Sequence, residues 1–184
     1  MEDNFKSGFV TLIGRTNVGK STLLNLLVGE KVAAIANKVQ TTRTAIKGIV
    51  NRKNSQIVFI DTPGIHKPKT KLNETMIETS FTSIGDADIV LFLIEATSGN
   101  IGKGDRIILE KIKEANKKTI LIINKIDLIK REKLLNLIDI YSKEYNFEAV
   151  IPIEATNSKY KDIVLDEIEK NLNEGPAYYD IQEY

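Results

Sequence analysis

Residues 14–21 read GRTNVGKS, directly behind the apolar run FVTLI at 9–13. Gly14 and Gly19 let the backbone wrap closely, so that successive N–H groups point inward at a polyphosphate. Lys20 can reach the β- and γ-phosphates, and the Ser21 hydroxyl can ligate Mg²⁺. Arg15, Thr16, Asn17 and Val18 complete the loop, and Thr22 follows at the start of a helix whose positive end faces the phosphate. The chemistry implied is the holding, and potentially the cleavage, of a nucleoside polyphosphate.

Two further segments supply partners for the metal. DTPG at 61–64 follows the apolar QIVFI. Asp61 at the end of a neighbouring strand can hold Mg²⁺ through a water. Thr62 and Pro63 form the turn, and the Gly64 N–H can swing to a γ-phosphate and report its presence. Between the two lies QTTRT at 40–44, a polar connection in which a threonine can complete the metal shell while triphosphate is bound.

NKID at 124–127 closes the run TILII. Asp127 can accept two hydrogen bonds from a purine edge that offers N1–H and a 2-amino group, which guanine does and adenine does not. Sites that read a polar edge in this way discriminate by about 10⁴ to 10⁵. Asn124 would brace the adjoining loops, and the stem of Lys125 would lie against the base. PIEAT at 152–156 adds Glu154 and Ala155, the latter through a backbone N–H aimed at the guanine O6.

These residues fall where strands end. Apolar runs at 8–13, 45–50, 56–61, 88–95, 119–124 and 149–153 alternate with segments of helical period at 20–28, 71–84, 103–115, 131–145 and 158–172. The polar NRKNS between the second and third runs predicts an antiparallel hairpin. Near-continuous apolar strands interleaved with helices predict an α/β domain. Its sheet is doubly wound, mostly parallel and six-stranded, with one antiparallel strand and helices on both faces. Ligands of such sheets bind outside the carboxyl ends of the strands, where the motifs above lie. The expected division is a nucleotide-binding domain over 1–173 and the start of a linker over 174–184, where Gly175 and Pro176 break the pattern.

Bulk properties narrow the class. Of the 184 residues 42% are hydrophobic and 28% charged, as in a globular protein, and a net charge of +1 gives no overall footprint for nucleic acid or an anionic membrane. Without cysteine there is no disulfide framework and no thiolate metal site. No run approaches the roughly 18 apolar residues of a membrane span, and the first residues lack a signal-peptide core. A cytoplasmic location is expected.

The order, intervals and wording of GRTNVGKSTLLN, QTTR, DTPGIH, SIGDADIVLF, NKID and GPAYY resemble the Era family of bacterial ribosome-assembly GTPases, from about residue 7 onward. The resemblance implies a Ras-like P-loop fold, a GTP/GDP switch with Mg²⁺, and Thr42 as the threonine that senses the metal beside Ser21 and Asp61. Gln40, Thr41, Thr42, Arg43 and Ile65 would belong to the switch segments, with Lys20, Gly64 and Asn17 as the catalytic set. In TrmE, a relative, an asparagine at the place of Asn17 ligates K⁺. The alternative for Asn17 is a turn position with positive φ. Family members carry a C-terminal KH domain that binds 16S rRNA of the small ribosomal subunit. No G-x-x-G clamp follows residue 176, so this chain is expected to be the G domain alone, a monomer, with rRNA, small-subunit and peripheral membrane contacts belonging to the parent protein.

Three positions depart from pattern. Thr16 stands where the family has proline, and Glu154 where it has serine. Ile65 stands where Ras-type enzymes place the glutamine that orients the attacking water, which implies slow hydrolysis. Alternatives to a slow GTPase switch are a guanine-nucleotide module without hydrolysis, a TrmE- or EngA-like G domain, and a P-loop ATPase or small-molecule kinase. Asp127 argues against the last.

Overall fold

A computed structural model describes residues 4–29, 45–61 and 82–179. In chain order these form β1 (Lys6–Gly14), α1 (Lys20–Val28), β2 (Ala45–Arg52), β3 (Ser55–Asp61), α2 (Thr82–Asp86), β4 (Ile89–Glu95), α3 (Lys103–Ala115), β5 (Lys118–Asn124), α4 (Arg131–Ser142), β6 (Ala149–Pro152), α5 (Tyr160–Asn171) and β7 (Asn173–Glu174). The main strand order is β2-β3-β1-β4-β5-β6. Strand β1 runs parallel to both neighbours, with Phe9 opposite Val58 of β3 and Ile13 opposite Phe92 of β4. Strands β5 and β6 continue the parallel array, while β2 is antiparallel to β3. The mixed sheet expected from the sequence is present.

Alternation along the central strands explains the two layers. In β4, Leu91 and Leu93 join Val10, Phe59, Ile120 and Ile122 against Leu23 and Leu27 of α1 and Val164, Leu165 and Ile168 of α5. Val90, Phe92 and Ile94 point the other way, with Leu121 and Ile123, onto Ile108, Leu109 and Ile112 of α3 and Leu137 and Tyr141 of α4. Each fully buried Leu or Ile contributes about 1.5–3 kcal/mol, so a strand apolar on both sides is stable only between two helical layers.

The structure extends the sequence reading at three places. The hairpin keeps pairing to Arg52↔Ser55, so only Lys53 and Asn54 turn. Polar residues persist in these strands because Arg52 pairs with Asp166 at 2.8 Å and Glu169 at 2.9 Å on α5. Helix α4 stops at Ser142 instead of reaching 145, and Tyr145 instead donates its hydroxyl to the Lys117 carbonyl at 2.9 Å. A seventh strand, absent from the expectation, adds β7 antiparallel to the start of β1, with Lys6 opposite Glu174.

The segment read as the beginning of a linker returns to the sheet as far as Tyr179. Gly175 N–H donates to the Phe5 carbonyl at 3.0 Å, and Ser7 Oγ donates to that of Pro176 at 2.7 Å. Buried Gln56 accepts the N–H groups of Tyr178 and Tyr179 at 2.8 and 3.1 Å and donates to the Tyr179 carbonyl at 3.0 Å. Of the helix expected at 71–84, residues 71–81 lie outside the described residues.

Candidate functional site

Strand β1 ends at Gly14, pressed against β4. A Cβ there would lie 2.8 Å from the Leu93 carbonyl and 2.9 Å from the Val18 side chain. The chain then turns through Arg15–Val18, where the Val18 N–H meets the Arg15 carbonyl at 3.4 Å, and enters α1 at Gly19 with φ 106° and ψ 19°. That left-handed conformation suits glycine. No side chain caps this helix and its first turn holds no acid, so its N–H groups and positive end face the adjoining cleft.

The cleft has a volume of about 630 Å³ and gathers three of the motifs. Thr16, Asn17, Gly19, Lys20, Ser21 and Thr22 form one wall, Asn124, Lys125 and Asp127 a second, and Glu154 and Ala155 a third. On the other side of Lys20 and Ser21 a smaller cavity of about 200 Å³ runs along Lys47 and Phe59 to Ile60, the residue before Asp61. The backbone of Asp61 pairs with Ala45 at the carboxyl end of β3.

Buried Asn124 joins the walls. Its amide Nδ2 donates to the Val18 carbonyl at 3.0 Å, while its Oδ1 accepts the N–H groups of Lys125 and Ala155, each at 2.8 Å. A Cβ on Gly19 would run into the same amide. Lys125 adopts φ 68°, and its ammonium reaches Glu95 at 2.7 Å and the Asn17 carbonyl at 3.4 Å. A short 3₁₀ turn, Ile126–Leu128, follows and leaves Asp127 exposed beside the cleft.

Several expected roles change. Arg15 does not face the cleft; its Nε donates to Asp105 Oδ1 on α3 at 3.1 Å. Val18 is fully buried in the core, so it can serve only through its backbone. The Ala155 N–H is engaged by Asn124 Oδ1, not held out for a base oxygen, because the fifth motif is itself tied to the fourth. Asn17 is exposed at φ 68°, the turn conformation offered as the alternative to cation binding. Gln40, Thr41, Thr42, Arg43, Thr62, Pro63, Gly64 and Ile65 lie outside the described residues.

Sequence reasoning missed Glu95, Asp105, Leu128 and Thr156. Glu95 was recoverable as an acid at the carboxyl end of a central strand. Asp105 was recoverable from spacing, since it shares the apolar face of α3 with Ile108, Leu109 and Ile112. Its carboxyl is pushed above the ordinary range by burial, which outweighs the opposing pull of Arg15. The neighbouring Tyr141 phenol is raised too, again chiefly by burial.

The loop after β1 is thus braced through Asn124 against the turn after β5. The family of 50S ribosome-binding GTPases matches residues 9–125. The chain belongs to this family of GTPases. It is 49% identical over 175 residues to the GTPase Era of Caldicellulosiruptor saccharolyticus, a match covering 95% of this chain and 58% of that protein. Among solved structures it is similar to a substituted Era of Aquifex aeolicus bound to GDP·AlF4⁻, and to an Era in complex with MgGDPNP and nucleotides 1506–1542 of 16S ribosomal RNA. Each is 40% identical with a TM-score of 0.75, and the match covers 96% of this chain and 60% of the other. The chain therefore spans about three-fifths of the length of the relatives it matches.

Proposed function

We propose that this domain binds GTP and GDP in the cleft between the phosphate loop and Asp127, and that it hydrolyses GTP slowly as a switch. The observation that carries the reading is Asn124. One buried side chain bonds the phosphate loop, the Lys125 turn and the Ala155 loop, fixing the distance between a polyphosphate and its base. Asp127 would accept from N1–H and the 2-amino group of guanine. Lys20 and the amides at the start of α1 would carry the charge that develops on the γ-phosphate as water attacks in line. Guanine O6 would accept from a backbone N–H other than the engaged Ala155 amide, or from that amide after exchange with Asn124.

Ser21, exposed at the cleft and at the helix start, suits a hydroxyl ligand of Mg²⁺ delivered with the nucleotide. Thr42 and, through water, Asp61 would complete the protein's share. The metal would neutralise charge on the β- and γ-phosphates. Asn17 lines the cleft, and K⁺ held beside it would act on the same charge. Residues about 31–44 and 64–75, outside the described residues, would be the switch segments that respond to the γ-phosphate.

In the longer protein the switch would be coupled to 16S rRNA and small-subunit assembly through a KH domain that follows the segment docked on the sheet up to Tyr179. The similarity to an Era solved with 16S rRNA supports that coupling. The domain itself would be monomeric and cytoplasmic, with any membrane contact peripheral. None of the described helices is long and apolar enough to cross a membrane.

The test is competition of unlabelled nucleotides against a fluorescent GDP, followed by single-turnover hydrolysis with Mg²⁺ in matched KCl and NaCl. GTP and GDP should displace the probe at least a hundredfold better than ATP, with turnover faster in KCl. Equal displacement by ATP would overturn the base assignment, and equal turnover in both salts would remove the role of Asn17. Binding of GTP without turnover in either salt would favour the module that binds without hydrolysing.

A further inference from the structure

We propose that Asp105 of α3 is a positioning residue for the phosphate loop, holding it in its nucleotide-gripping shape through Arg15; this rests on the reading of the cleft as a guanine-nucleotide site. The Asp105 side chain is 1% exposed, and its Oδ1 receives Arg15 Nε at 3.1 Å. Arg15 is tethered twice, since its carbonyl also receives the Val18 N–H that closes the turn of the loop. Fixing the guanidinium therefore fixes the turn.

Core stability does not account for an acid at this position. Ile108, Leu109 and Ile112 on the same face are fully buried, and an aliphatic side chain at 105 would pack there without desolvating a charge. Asp105 Oδ2 and the Tyr141 hydroxyl are buried beside one another and have no further partner among the described residues. A half-buried ion pair that adds little stability can still fix geometry.

The opposite side of the loop is held from β5. Asn124 bonds the Val18 carbonyl and Lys125 the Asn17 carbonyl, while Lys125 also pairs with Glu95 at the end of β4. The loop is thus suspended between α3 and the base-reading turn. Without Asp105, the α3 side of that suspension is lost while every cleft-lining side chain remains.

Four variants test this: Asp105→Asn, Arg15→Gln, the double variant and Arg15→Lys. Release of fluorescent GDP is followed by stopped flow and unfolding by urea. Asp105→Asn and Arg15→Gln should each release GDP roughly tenfold faster, about 1.4 kcal/mol. The double variant should be no faster than either single one, and Arg15→Lys should recover most of the slow release. A purely structural acid predicts a lower unfolding midpoint with release unchanged, or effects that multiply in the double variant. Either result would overturn the proposal. Should Asp105→Asn fail to fold, Arg15→Gln with release within twofold of wild type would overturn it as well. Wild-type protein that fails to bind the probe would instead remove the reading of the cleft, and this inference with it.

Discussion

Replacing Asn124 with alanine isolates the brace that makes the cleft one site. The substitution removes one donor and one doubly used acceptor. Two of the groups left behind are deeply buried: the Val18 carbonyl and the Ala155 N–H. The Lys125 N–H is only partly buried, so water can replace its bond. A buried group stripped of its partner costs about 1–3 kcal/mol, giving about 2–6 kcal/mol for the pair. With total stabilities of about 5–15 kcal/mol, that is a large fraction. Taking about 2 kcal/mol per molar urea as the slope, the midpoint should fall by about 1–3 M. Asn124→Asp adds a discriminating arm. It keeps the acceptor for both amides but sets a carboxylate oxygen against the Val18 carbonyl, which only a protonated carboxyl can satisfy. The folded state then binds the proton more tightly than the unfolded chain, so this variant should gain stability as pH falls, relative to wild type. A midpoint for Asn124→Ala within 0.5 M of wild type, about a quarter of the expected mean shift, would refute the reasoning.

Other perturbations read separate parts of the molecule. Asp127→Asn should shift preference from guanine to xanthine nucleotides, whose 2-oxo group accepts from the new amide; retained preference for GDP in competition binding would contradict the assignment. Glu144 is held down to about 2 by hydrogen bonds from Arg106 and Lys113, against an ordinary 4.5. Its contribution is therefore fully present above pH 4.5 and lost as pH falls towards 2, so Glu144→Gln should flatten the acid limb of a plot of urea midpoint against pH, and an unchanged limb would count against it. Gln56→Leu removes the partner of the partly buried Tyr178 and Tyr179 amides, which should raise their hydrogen exchange well before the sheet exchanges; exchange unchanged from wild type would count against the docking of the tail.

The sheet and both helical layers could be read from sequence because burial on two faces writes itself into local composition. Residues such as Val90 and Leu91 must be apolar whichever way they point. Where one residue serves a distant partner, the local pattern misleads. Tyr145 falls on the apolar period of α4, yet it lies beyond the helix end, with its ring against Phe147 and its hydroxyl on Lys117. Asn173 and Glu174 are polar and only two residues long, too short for any periodicity, and their pairing is fixed by Lys6 and Ser7 far back in the chain. The tail's Gly175 and Pro176 do mark a break, but the side chain that binds the next residues is Gln56 on β3. In the site, residues of the first, fourth and fifth motifs line one cleft. The motif spacing could not show that Arg15 turns away, because Asp105, which draws it, lies 90 residues on.

Gly19 is where these dependences meet. A glycine in a phosphate loop is ordinarily explained by the approach of phosphate to backbone, and its φ of 106° is a second reason. The structure adds a third that needs no ligand. The space a side chain would take at Gly19 is filled by the Asn124 amide, which must come that close to reach the Val18 carbonyl. The glycine of the first motif and the asparagine of the fourth are thus complementary halves of one contact. A side chain at 19 would push Asn124 off Val18, release the Lys125 and Ala155 amides it gathers, and loosen the turn at Ile126–Leu128. The loop and the turn proposed to hold phosphate and base are therefore a single packed unit, so a disturbance at either end must be felt at the other.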